Sequence, residues 1–164
     1  LQTFCEESYE FHTLIDPIAT FCYQPMPDQP VIKIVPGKPE RFLAIAPTIR
    51  AVGEPFDVKF KGEDKWGNPS DKCDCQFTLR ATHQVAGLPE KVTLAAGQFA
   101  GVIAGLQVHE PADFAIEFLD DTGALVCVTN PIRIEEAPTS RHFWGDLHGQ
   151  SEETIGTGTA GSNS

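Results

Sequence analysis

The feature that most constrains this chain is a two-residue alternation of apolar and polar side chains, repeated in short runs. Phe56, Val58 and Phe60 alternate with Asp57, Lys59 and Lys61; Phe77, Leu79 and Ala81 alternate with Gln76, Thr78 and Arg80. A period of two puts each set on one face of a strand, apolar side inward. Similar runs occur at residues 31–35, 41–46, 92–94, 102–103, 114–118, 125–128 and 132–134, separated by Gly, Pro, Asn and Asp. No window carries a helical stripe. Strands this closely spaced leave no room for crossover helices, so the spacing predicts an all-β, antiparallel, immunoglobulin-like β-sandwich over residues 30–137.

Before the sandwich, residues 1–29 predict an edge strand and a linker, because Pro17, Pro25, Pro27 and Pro30 interrupt regular pairing. After it, residues 135–140 (EEAPTS) form a short linker, too brief for two bodies to tumble freely. The sandwich is therefore expected to dock against whatever Phe143 and Trp144 lead into. Between two strands, residues 64–69 (DKWGNP) resemble a turn found in bacterial immunoglobulin-like modules. Gly67 and Asn68 tolerate positive φ there and Pro69 stops ladder pairing. Trp66 is expected to cover the open end of the sandwich or a neighbouring domain; the competing role is a platform on which a sugar or other ligand stacks.

Of the 164 residues 41% are hydrophobic, enough for a core, and the formal net charge is −11. That charge argues against nucleic acid and anionic membranes as partners, since both attract cationic surface. No apolar run is long enough to span a bilayer, and no signal peptide is visible, so a cytoplasmic location is expected. Five cysteines without Cys-x-x-Cys spacing fit neither a disulfide framework nor a structural zinc site and favour a reducing compartment. Cys73 and Cys75 share one parity, as packing residues would. His12, His83 and His109 are expected in solvent, and His142 at a strand's entrance.

One further stretch carries potential chemistry. In residues 142–150 (HFWGDLHGQ), a strand period puts His142, Trp144, Asp146, His148 and Gln150 on one face and Phe143 and Leu147 on the other. Oxygen and nitrogen donors at i, i+2 and i+4 on a rigid strand can present metal ligands; a solvated edge strand gives the same pattern.

Residues 144–158 (WGDLHGQSEETIGTG) resemble the opening motif of a bacterial domain-of-unknown-function family in the polymerase and histidinol phosphatase (PHP) superfamily of metal-dependent phosphoesterases. There the first strand of a distorted β/α barrel carries Asp-Leu-His-x-His. Asp146, Leu147 and His148 match, while Gln150 replaces the second histidine. The resemblance implies that Asp146, His148 and Gln150 bind divalent Zn, Mn or Fe, which activate water for attack on a small-molecule substrate.

A multi-metal site draws on several barrel strands, and residues 138–164 supply one. On that reading this chain is the accessory region and incomplete start of a hydrolase. It would be inactive alone, bind no metal by itself and have the remainder of its catalytic domain as partner. Catalytic and substrate-binding residues stay unassigned. The competing functions are a non-catalytic immunoglobulin-like binding or adhesion module and a plain spacer.

Overall fold

The computed structural model describes residues 3–141 and 143. They form fourteen strands, and there is no helix among them. The chain opens with β1 (Glu6–Glu10), β2 (Leu14–Ile15), β3 (Gln24–Pro25) and β4 (Val31–Ile34). The sandwich strands follow: β5 (Arg41–Ile45), β6 (Ile49–Ala51), β7 (Phe56–Glu63), β8 (Cys75–Ala81), β9 (Lys91–Leu94) and β10 (Gly101–Leu106). The last four are β11 (Ala112–Phe114), β12 (Ile116–Leu119), β13 (Leu125–Val128) and β14 (Ile132–Glu135).

Two sheets make the body. One has the order β10-β7-β5, the other β13-β12-β8-β9, and all their pairings are antiparallel. The alternation in β7 does what its sequence predicts: Phe56, Val58 and Phe60 are buried, Asp57 and Lys59 exposed. Phe42 and Phe60 from the first sheet meet Phe77 and Phe118 from the second. Phe42 lies 5.1 Å from Phe77 and Phe60 lies 5.4 Å from Phe118, ring centre to ring centre. Most of these rings meet edge to face, the arrangement their quadrupoles favour. Two sheets sharing one aromatic core are a β-sandwich.

A third small sheet, β11-β14-β6, adds Phe114, Ile132 and Ile134 to the core, and β14 pairs with β6 in parallel, against the expected all-antiparallel pairing. The run at 114–118 is broken at Ala115 into β11 and β12. Buried Thr129 bridges the break: its N–H donates to the Ile116 carbonyl and its Oγ1 accepts the Ile116 N–H, both at 3.0 Å. A hydroxyl thus replaces a ladder partner where the hairpin passes between sheets.

The N-terminal region differs from expectation in two respects. Residues 31–34 pair with β1 in a separate two-stranded sheet rather than with the sandwich. In place of the one edge strand expected within residues 1–29 there are three short strands: β1 ends at Glu10, and β2 begins at Leu14 and pairs with β3. Between β2 and β3, Ala19 and Phe21 adopt positive φ (51° and 63°), held by the Asp16 carboxylate, which accepts the N–H groups of Thr20 and Phe21.

Candidate functional site

The best-defined polar site among the described residues grows from the turn after β7. Gly67 takes φ +87°, which lets the chain reverse, and the Gly67 N–H donates to the Asp64 carbonyl at 3.0 Å. The Asp64 carboxylate is the hub. Its Oδ1 accepts the N–H groups of Trp66 (2.9 Å) and Asn68 (3.0 Å), while Oδ2 accepts the Gly37 N–H and the Asn68 side-chain amide, each at 3.0 Å. Asn68 then reaches the N-terminal segment: its Nδ2 donates to the Thr3 carbonyl and its Oδ1 accepts the Cys5 N–H. Ser70 Oγ donates to the Gly37 carbonyl and Lys72 Nζ to that of Pro36. One buried carboxylate–amide pair therefore ties Thr3, Cys5 and Gly37 to the turn at 64–68.

Charge follows geometry. The Gly37 N–H, seconded by Asn68 and Trp66, holds the Asp64 carboxyl well below the usual carboxylate range although the side chain is only 4% exposed. Glu63, equally buried, is kept ionised by Lys61 and Arg41, with Lys61 Nζ at 2.7 Å and Arg41 Nε at 2.7 Å. Both carboxylates are engaged by donors already present in the chain. They brace the turn and are poorly placed to act as bases or as open metal ligands.

That bracing presents Trp66. The ring is 55% exposed, so the sandwich does not enclose it, and Lys65 Nζ lies 4.8 Å from its centre. It borders a groove between the N-terminal segment and the sandwich, lined by Thr3, Ile34, Val35, Lys38 and Glu40.

Asp146, His148 and Gln150, the predicted metal ligands, lie outside the described residues, as does His142. Among the described residues no three His, Cys, Asp or Glu side chains come together in a way that could hold a metal ion. His12 and His109 are exposed as expected, but His83 is half-buried against Phe114, with Nε2 3.3 Å from Glu110 Oε1. Cys73 is buried, its thiol directed at the Ser70 carbonyl; Cys75 also packs on the core. Burial pushes the Cys127 thiol up to about 11.

The second polar feature is where the chain leaves the sandwich. The Ala51 N–H donates to Glu54 Oε2, and Arg141 Nη2 pairs with Glu54 Oε1 at 2.8 Å. The turn before β7 and the linker after β14 are thereby joined. The Asp64–Asn68 hub had a signal in sequence, acceptors at i and i+4 around a Gly-Asn turn. The Glu54–Arg141 pair, 87 residues apart in sequence, had none.

No protein-family model matches the chain, and no curated protein does. Solved structures similar to it include the D0-D1 domain of intimin, 12% identical, with a TM-score of 0.42; the match covers 66% of this chain and 56% of that one. The match thus spans little more than half of that solved chain's length.

Proposed function

We propose that the described chain is a non-catalytic, immunoglobulin-like binding module. The strand order supports the fold reading: β5, β7 and β10 stand as A, B and E, and β8, β9, β12 and β13 as C, C′, F and G. The observation that carries the function is the Trp66 platform. A large indole is held out into solvent by a turn whose carboxylate is saturated with hydrogen bonds, beside a groove with Lys65 and Glu40 at its rim. An exposed aromatic flanked by polar groups suits the apolar face of a sugar ring. Immobilised oligosaccharides test this. The chain is expected to be retained by a subset of them and its Trp66→Ala variant to be lost. No retention, or equal retention of the two, overturns the reading.

A second reading gives the same module a catalytic neighbour of the metal-dependent PHP type. The observation favouring it is the Glu54–Arg141 pair, which fixes the chain's departure just ahead of Asp146, His148 and Gln150. Further ligands from a barrel would be needed to complete the site, so this chain is expected not to hydrolyse p-nitrophenyl phosphate with added Mn²⁺ or Zn²⁺. In a longer chain, metal content should fall on His148→Ala; equal content in the two sinks the hydrolase reading and leaves the binding module standing.

A further inference from the structure

The turn that presents Trp66 also gathers charge around it. Two shallow depressions, of about 340 and 440 Å³, meet at the indole. Glu40, Asp64 and Lys65 line both, Lys38 lines the first and Arg41 the second. Arg41 reaches this place because Gly67 has no side chain: its Nη2 lies 3.3 Å from where a Cβ would stand. With Lys61, which joins Arg41 on Glu63, four cations stand against three carboxylates. The whole chain has 12 basic and 23 acidic residues, so the local balance is the reverse of the general one. Exposure widens the difference. Asp64 and Glu63 are each 4% exposed and already engaged by donors of the chain. Lys38 and Lys65 stand in solvent without a carboxylate partner among the described residues. Glu40 is the one exposed acid in either depression.

We infer that the Trp66 site takes a sugar chain that bears carboxylates, a uronate oligosaccharide. The inference rests on the binding-module reading and adds the class of ligand to it. The indole face calls for the apolar C–H face of a pyranose ring, which a bare anion lacks. The cations call for negative charge on that same chain. Lys65 Nζ stands 4.8 Å from the ring centre, and the depressions add Lys38 to one side and Arg41 to the other. A uronate chain repeats its carboxylate along its length and can meet more than one of them. Arg41 spends Nε and Nη2 on Glu63, which leaves the Nη1 donors of its fork for a carboxylate. A neutral oligosaccharide would use the indole alone. Glu40 opposes an acidic ligand, so its removal should help binding rather than harm it.

Oligosaccharides of galacturonate, alginate and hyaluronan test this, each as the free acid and as its neutral methyl ester. Polyglutamate serves as a polyanion without sugar rings. At least one free acid is expected to bind about three- to tenfold more tightly than its ester, the size that a few exposed ion pairs supply. The margin should shrink as salt is raised. Trp66→Ala should abolish binding of acid and ester alike. Lys38→Gln combined with Lys65→Gln should bring the acid down to the level of its ester, and Glu40→Gln should tighten the acid alone. All four positions are exposed, and melting midpoints matched to the parent exclude unfolding as the cause. Esters or other neutral oligosaccharides bound through Trp66 as tightly as the acids overturn this inference and leave the binding module standing. Polyglutamate bound as tightly as the uronates overturns it too, as does acid binding that survives the double lysine variant. Retention of no oligosaccharide, acidic or neutral, overturns both.

Discussion

Asp64 shows how far a single side chain can organise this molecule. Three backbone N–H groups, from Gly37, Trp66 and Asn68, and the Asn68 side-chain amide converge on its two oxygens, so its removal strands donors in a buried place rather than deleting one contact. Asp120 offers the control. It accepts N–H groups from Thr122 and Ala124 in its own hairpin loop, where water can substitute. Asp64→Ala should therefore lower the melting midpoint clearly more than Asp120→Ala, and it should also release residues 3–5 to faster amide exchange. Equal shifts would show that the hub is no more than a local turn. Gly101 makes a second case. It lies across from Phe60, whose ring covers it, and a Cβ there would fall inside that ring. Phe60 is a core residue with Phe77 and Phe118 behind it, so it cannot swing away. Gly101→Ala should cost about 1–3 kcal/mol of unfolding free energy by denaturant titration, the usual size of an overpacked core.

The elements divide into those with a core and those without one. Among the described residues none before Pro36 is buried, and ten of the eighteen exposed large hydrophobics lie at or before Val35. Their strands form two isolated pairs, β1-β4 and β2-β3, and a lone two-stranded sheet is marginal in water. Hydrogen exchange should therefore separate the chain into two classes: fast amides in β1 to β4, slow ones in β7, β8 and β12. Protection in β1 equal to that in β7 would contradict this and imply a cover over the N-terminal sheets. The same division explains what was legible beforehand. Where burial decides, as in β7 and β8, period-two patterning located the strands. Where it does not, the apolar residues of 31–35 read as a sandwich strand yet lie in an exposed two-stranded pair with β1. The parallel partner β6 is only three residues long and too short to show a period. At the site, Gly67 and Asn68 announced the turn. The donors to Asp64 from Gly37, and the anchorage of Thr3 and Cys5 on Asn68, depend on long-range placement that no local pattern encodes.

At the scale of the whole molecule, a formal charge of −11 raises the question of what acid does to it. Protonating carboxylates relieves self-repulsion, which favours the fold as pH falls. Against this stand the carboxylates whose acidity folding strengthens: Asp64 through the Gly37 N–H, Glu63 through Lys61 and Arg41, and Glu54 through the Ala51 N–H and Arg141. A carboxyl with a lowered pKa in the fold contributes stability that is complete above its ordinary value, here 3.8 for Asp and 4.5 for Glu. That contribution is lost as pH drops through the lowered value. Asp64 and Glu63 are buried, so their interactions are poorly screened, whereas most of the repelling charges are exposed and damped by salt. The buried pair should win. The melting midpoint is expected to stay nearly flat from neutral pH to about pH 5 and to fall steeply below about pH 4 at moderate salt. An Asp64→Asn, Glu63→Gln double variant separates the two effects. It should start lower at neutral pH and lose most of the acid slope, because neither side chain has a proton left to gain. A double variant with the parent's slope would locate acid sensitivity in the general charge of the surface, and the braced turn would lose its claim to be what acid undoes first.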